Sequence, residues 1–233
     1  MRFPKIVSAI NLVIIVMRGS TAASQVIPSA YKFIEMRQEV GAFVGTANLG
    51  KGQLGLDPSL ASVVGIRWSL DVGSALSLEA DGSMFLAERD VLDLSRPEND
   101  RVIGQSDMTI ILLDARLRLN LTGHRTWHGI QPYAAFGLGI AGEGGVDRTL
   151  EESVMMPQDQ RFDFGNRFTA TLASGLSLRL SERLFIRADG LFSLWKMGTP
   201  TGWLTVDVDP LHTNPQGEWL AGKSVLFSVS WRY

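Results

Sequence analysis

The chain has 233 residues and a formal net charge of −2, with 22 Lys and Arg against 24 Asp and Glu; that is enough for one domain with a sizeable interior and carries no basic patch suited to nucleic acid. The lack of cysteine excludes disulfides, thiolate-bound zinc, thiol catalysis and lipid attachment through an N-terminal cysteine. A mean hydropathy of +0.10 is too polar for a bundle of transmembrane helices.

In chain order, Arg2 and Lys5 precede an apolar-leaning run from Ile6 to Met17, and small residues from Gly19 to Ser24 follow. The pattern predicts a signal peptide over residues 1–24, cut after Ala23 or Ser24, although Arg18 directly behind the run is unusual. A short anchor helix is the alternative; the run falls well short of the ~20 residues that span a bilayer. Residues 25–37 carry no readable role, and residues 38–233 are predicted to form one domain.

Within that domain, period-2 alternation recurs. Glu39 to Ala47 sets Val40, Ala42 and Val44 against Glu39, Gly41, Phe43 and Gly45. Ala61 to Leu70 sets Val64, Ile66, Trp68 and Leu70 against Gly65, Arg67 and Ser69. Ala75 to Leu86 sets Leu76, Leu78, Ala80, Met84 and Leu86 against Ser77, Glu79, Asp81 and Ser83. Thr109 to Leu121 sets a row of Leu, Ile and Ala against Asp114, Arg116, Arg118 and Asn120.

The second half repeats this. Gln131 to Ala141 places Phe136, Leu138 and Ile140 opposite Tyr133, Gly137 and Gly139. Phe168 to Leu180 opposes Leu172, Leu176, Leu178 and Leu180 to Ala173, Gly175, Ser177 and Arg179. Leu184 to Trp195 opposes Ile186, Ala188, Phe192 and Leu194 to Arg187, Asp189 and Ser193. In the terminal KSVLFSVSWRY, Val225, Phe227, Val229, Trp231 and Tyr233 share one face; Ser224, Ser228, Ser230 and Arg232 share the other, interrupted by Leu226.

Connections near 71–74 and 181–183 read as tight turns, and 122–130 as a somewhat longer one. Those at 87–108, 142–167 and 196–222 read as long and polar. Short turns at one end, long loops at the other, an even strand count and apolar-out, polar-in alternation predict an all-β fold: an eight-stranded antiparallel transmembrane β-barrel. A soluble sandwich alternates too, but has no reason to gather its long loops at one end. Trp68, Trp127, Trp231 and Tyr233 are expected in an interfacial girdle at the short-turn end, and Trp195 in one at the long-loop end.

EVGAFVG in the first strand, QPYAAFGLGIAGEGG in the fifth, GLSLRLSERLFIRADGLFSLW across the sixth and seventh, and KSVLFSVSWRY at the end carry a resemblance. Over residues 38–233 the chain resembles the barrel domain of small bacterial outer-membrane proteins of the OmpA/OmpX type. The resemblance implies an integral outer-membrane location in a Gram-negative bacterium. It also implies contact with outer-membrane lipid and lipopolysaccharide, and engagement of the barrel-assembly machinery through Val225, Phe227, Val229, Trp231 and Tyr233. A monomer is expected. The family spans adhesion, host interaction, membrane stabilisation and minor solute leakage, and the fold does not choose among them.

Alternation points Glu39, Glu79, Asp81, Asp114 and Asp189, with Arg67, Arg116, Arg118, Arg179, Arg187 and Arg232, into the lumen. Eight strands leave an interior just wide enough for side chains to fill. The expectation is an ion-paired plug including Glu79 and Arg116; a narrow selective pore is the alternative.

Other motifs carry less. Gly137-Leu-Gly139-Ile-Ala-Gly142 matches a dinucleotide fingerprint but lacks the helix that must follow. His124 and His128 lie in a turn without a third metal ligand nearby. Glu143, Asp147, Glu151, Glu152, Asp159, Asp163, Asp207 and Asp209 make the long loops acidic, read as solvated surface rather than a cation site. His212 is a candidate base for a lipid A-modifying enzyme, but Asn214 stands where the deacylase pattern has Ser. A non-enzymatic, cofactor-free outer-membrane protein is therefore expected.

Overall fold

Alternating side chains give each strand one apolar and one polar face, and closing such a sheet on itself leaves no unpaired edge. The computed structural model describes residues 31–33, 38–52, 55–204 and 217–233. The predicted signal peptide, Asp207, Asp209 and His212 lie outside these residues.

The strands are β1 (Tyr31–Phe33), β2 (Gln38–Asn48), β3 (Leu60–Asp71), β4 (Leu76–Leu92), β5 (Val102–Asn120), β6 (Arg125–Trp127), β7 (Ile130–Val146), β8 (Arg167–Arg179), β9 (Leu184–Gly198) and β10 (Gly217–Arg232). Two short helices lie in the long loops, α1 (Thr149–Ser153) and α2 (Thr201–Leu204). Eight long antiparallel strands close into a ring in the order β7-β5-β4-β3-β2-β10-β9-β8, with β8 returning to β7. All eight predicted strands are present. β1 and β6 pair with each other beside the short-turn end of β7, so part of the segment without a readable role is a small strand appended there.

The ring is staggered. Following registered partners from Ala87 through Ala61, Ala47, Ser224, Leu191, Ala173, Ala135 and Arg118 returns to β4 at Ser77, ten residues from the start. That shear tilts the strands and sets which lumen residues share a level.

The apolar face points outward. Ile66, Leu113 and Ile140 are 67%, 63% and 60% exposed, with Leu, Val and Phe around them. In water this belt would be a very large apolar patch; in a bilayer it is the solvent-matched surface, flanked by exposed Trp68, Trp127, Trp231 and Tyr233 at the short-turn end.

Two expectations are corrected. Trp195 is not in the girdle: it faces inward, 8% exposed, and packs with Leu49, Phe85, Ile110 and Phe164. It has the parity of Arg187, Asp189 and Ser193, all buried, so alternation overrides its aromatic character. Trp219 stands outward at that end instead, 67% exposed. The long connection at 87–108 is mostly strand, since β4 and β5 run on as a ladder to Leu92 and from Val102. Above the apolar belt the outward positions become Glu88, Asp90, Gln105 and Asp107. The hairpin persists there on backbone hydrogen bonds after the apolar alternation has ended.

Candidate functional site: a lumen closed at two levels

The half of the lumen near the short turns is charged. Alternation aims Arg67 from β3, Glu79 and Asp81 from β4, Asp114, Arg116 and Arg118 from β5, Arg187 and Asp189 from β9, Arg232 from β10 and Glu39 from β2 at one centre. Each is at most 5% exposed. Cross-strand partners make the local pairs. Arg67 grips Asp81 with Nε at 2.9 Å and Nη2 at 2.9 Å, and Arg232 Nε donates to Glu39 at 2.7 Å.

Two bridges cross the barrel. Arg67 Nη1 reaches Asp189 at 2.7 Å, and Arg187 Nη1 reaches Glu79 at 2.8 Å. Glu79 also accepts from Arg118 at 2.9 Å. Arg116 pairs with Asp81 and, at 3.1 Å, with Asp114. Arg116 and Glu79 are register partners in one cluster, but their close ion pairs go to different groups.

Aromatic rings fill the gaps between guanidiniums. Tyr133 lies 4.6 Å from Arg187 and 5.6 Å from Arg118, Phe185 lies 4.4 Å from Arg232, and Phe43 lies 5.2 Å from Arg67. Small residues make the room: a Cβ on Gly137 would overlap the Arg116 side chain and sit 2.9 Å from the Ala115 carbonyl.

One predicted member is elsewhere and one was missed. Arg179 sits half-buried at the end of β8, where its Nε donates to the Ser181 carbonyl at 3.1 Å, outside the central cluster. Its parity is inward, but its level is that of the turn. Asp71, read as part of a turn, joins the network: it accepts from Ser77 at 2.5 Å and lies 3.6 Å from Arg118 and 3.9 Å from Arg232. It shares the parity of Arg67 and Ser69, the signal that could have found it.

The other half of the lumen is mainly apolar, with the hydroxyls of Thr169, Ser193 and Ser224 among its wall. Phe43, Val63, Phe85, Ile110, Leu112, Trp195 and Leu226 point in from the strands. Leu49, Leu56, Phe162, Phe164 and Trp203 come down from the loops to pack on them. Cavities of about 20 Å³ each lie beside Phe85, Phe164 and Trp195 and beside Leu56 and Phe162. The cap is tied by a buried ion pair that alternation could not reveal: Arg89 Nη2 meets Glu151 of α1 at 2.5 Å, with Phe162 5.2 Å from the guanidinium. Glu151, expected in a solvated acidic loop, is 1% exposed.

Asp57 and Glu218 converge at the rim beside Gly52. Burial raises the Asp57 carboxyl to about 6, and repulsion from Glu218 adds to this; a Gly52 backbone donor and Arg167 act in the opposite direction.

Solved structures share this architecture. OprG, an outer-membrane protein of Pseudomonas aeruginosa, matches with a TM-score of 0.54 at 11% identity, covering 85% of this chain and 96% of that one. Neisserial surface protein A matches at 0.49 and 10% identity, covering 88% and 98%. A major outer-membrane protein of Thermus thermophilus matches at 0.48 and 12% identity, covering 85% and 100%. No protein-family model matches the chain, and no curated protein matches it in sequence.

The chain is an integral β-barrel of the outer-membrane type. Its ring, apolar belt and inward charges are those of a transmembrane barrel, and its fold is shared with the outer-membrane protein OprG. Among the described residues no helix is long and apolar enough to cross a membrane; crossing falls to the strands.

Proposed function

We propose that this protein is a non-enzymatic, sealed barrel of a bacterial outer membrane, structural in its transmembrane part and available for binding through its outward loops. The observation that supports this reading is the double closure of the lumen. An ion-paired layer occupies one half, and an apolar plug of strand and loop side chains occupies the other. A permeant ion would have to displace bridges that cross the barrel and then pass Phe85, Phe164 and Trp195, where the hydroxyls of Thr169, Ser193 and Ser224 are weak substitutes for its hydration. The terminal strand, with Val225, Phe227, Val229, Trp231 and Tyr233 outward, suits recognition by the assembly machinery.

The test is conductance of the refolded full chain in a planar bilayer. The expected result is no steady current. Steady opening by the wild type would overturn the sealed reading and put a narrow channel in its place.

A further inference from the structure

The lumen network does not balance. Among the described residues, the carboxylates of Glu39, Asp71, Glu79, Asp81, Asp114 and Asp189 meet the guanidiniums of Arg67, Arg116, Arg118, Arg187 and Arg232, six against five. Glu39, Glu79, Asp81 and Asp189 each accept a directed hydrogen bond from a guanidinium, and Asp71 accepts one from the Ser77 hydroxyl. Asp114 is the exception. It is 5% exposed, and neither of its carboxylate oxygens accepts a hydrogen bond. Arg116 comes within 3.1 Å of Oδ2, but its Nε–H is not directed there, and its Nη2 is engaged by Asp81.

Two hydroxyls on β8 share this condition. Thr169 and Thr171 face inward, each 1% exposed, and neither Oγ1 has a hydrogen-bond partner. Register sets them across β7 from β5: Asp114 pairs with Gly139 and Gly139 with Thr169, while Arg116 pairs with Gly137 and Gly137 with Thr171. The Thr171 hydroxyl lies beside the Asp114 carboxylate without closing a well-formed hydrogen bond. Both intervening β7 positions are glycines. A Cβ on Gly137 would stand 2.9 Å from Asp114 Oδ1, and one on Gly139 would stand 2.9 Å from Thr169 Oγ1. The glycines that mimic a dinucleotide fingerprint therefore keep side chains out of the space onto which these oxygens open.

We infer that Asp114, Thr169 and Thr171 hold a small monovalent cation inside the barrel, where the ion-paired layer meets the apolar plug. A buried oxygen without a donor is costly and calls for water or an ion. A carboxylate and two hydroxyls are hard oxygen donors, the kind that suit a hard cation. The charge count selects its valence: one positive charge completes the network, and a divalent ion would overshoot it. Water would satisfy the hydroxyls but leave the Asp114 charge uncompensated in a site that solvent does not reach. Thr169 also lines the small cavity beside Phe85, Phe164 and Trp195, so the site touches the floor of the plug. With bridges on one side and rings on the other, the ion is a fixed part of the barrel rather than one in transit.

A closed site exchanges its ion when the barrel unfolds, so equilibrium unfolding reports it. The full chain is unfolded and refolded with urea in neutral micelles while sodium chloride replaces choline chloride at constant ionic strength, which holds screening fixed. The wild-type urea midpoint is expected to rise with sodium and level off, as binding to the folded state alone requires. Asp114→Asn is expected to show no such dependence. Thr169→Val and Thr171→Val keep the carboxylate and the side-chain volume, and each is expected to need several-fold more sodium to reach the plateau. They decide the matter if Asp114→Asn does not regain the heat-modifiable folded band. No saturable rise in the wild type, the same rise in Asp114→Asn, or unchanged half-saturation in both threonine variants would each overturn the site and leave water or a proton beside Asp114. Bilayer conductance is measured separately, so loss of the sodium dependence leaves the sealed-barrel reading standing.

Discussion

Glu79 and Arg187 lie 108 residues apart, on strands that are not neighbours, and meet at 2.8 Å across the lumen. Both are almost wholly buried, and Glu79 also holds Arg118. Replacing Glu79 by Gln therefore leaves two buried guanidiniums short of a partner. Loss of one member of a buried pair costs about 3–5 kcal/mol, and a fall of that order is expected in the urea-unfolding free energy in micelles. The double variant Glu79→Leu, Arg187→Met should cost less than the sum of its single changes, because it removes charge from both sides of the bridge.

Two glycines should respond in opposite ways. Gly137 faces the lumen, where a Cβ would overlap Arg116 and crowd Asp114 and the Ala115 carbonyl. Gly137→Val is expected to lose about 1–3 kcal/mol through overpacking. Gly82 faces lipid, and its nearest neighbours, Leu113 and Ile66, lie at 3.6 and 3.9 Å from an ideal Cβ. Gly82→Ala should be neutral or mildly stabilising in the same unfolding measurement.

The Arg89–Glu151 pair should control the cap. Glu151→Gln leaves Arg89 without its close carboxylate beneath Phe162. The expected outcome is faster tryptic cleavage at Arg148 and Arg161 in the folded protein, with the barrel strands still resistant. Unchanged cleavage would mean that apolar packing alone holds α1 down.

The rim should titrate. A carboxyl raised to about 6 in the folded protein, from an ordinary value of 3.8, binds its proton more tightly folded than unfolded. Its contribution is fully present below pH ~4, declines as pH rises towards ~6, and is lost above that. Hydrogen exchange of residues 49–52 and 55–59 should therefore quicken between those values. Asp57→Asn should abolish the change and slow exchange at neutral pH.

Alternation made all eight barrel strands and ten of the eleven expected lumen charges legible, because a two-residue period leaves little choice of face once lipid lies outside. Asp71 was lost for a local reason: a carboxylate at the end of a strand looks like a turn residue. Trp195 was misplaced because an aromatic near a strand end resembles a girdle residue, whereas parity had already turned it inward.

The outcome divides along a physical line. The sequence alone determined the strands, their faces and the sign of the charges inside, because each depends on neighbours one or two residues away and on the contrast between lipid and lumen. Only the tertiary structure decided that Glu79 would answer Arg187 and that Arg67 would answer Asp189. It alone brought Glu151 of a long loop down to Arg89 and set Lys196 beside Trp219. Those meetings depend on the ten-residue stagger of the closed ring and on the course of the loops. Local periodicity records neither, because both arise when distant strands are brought to a common level.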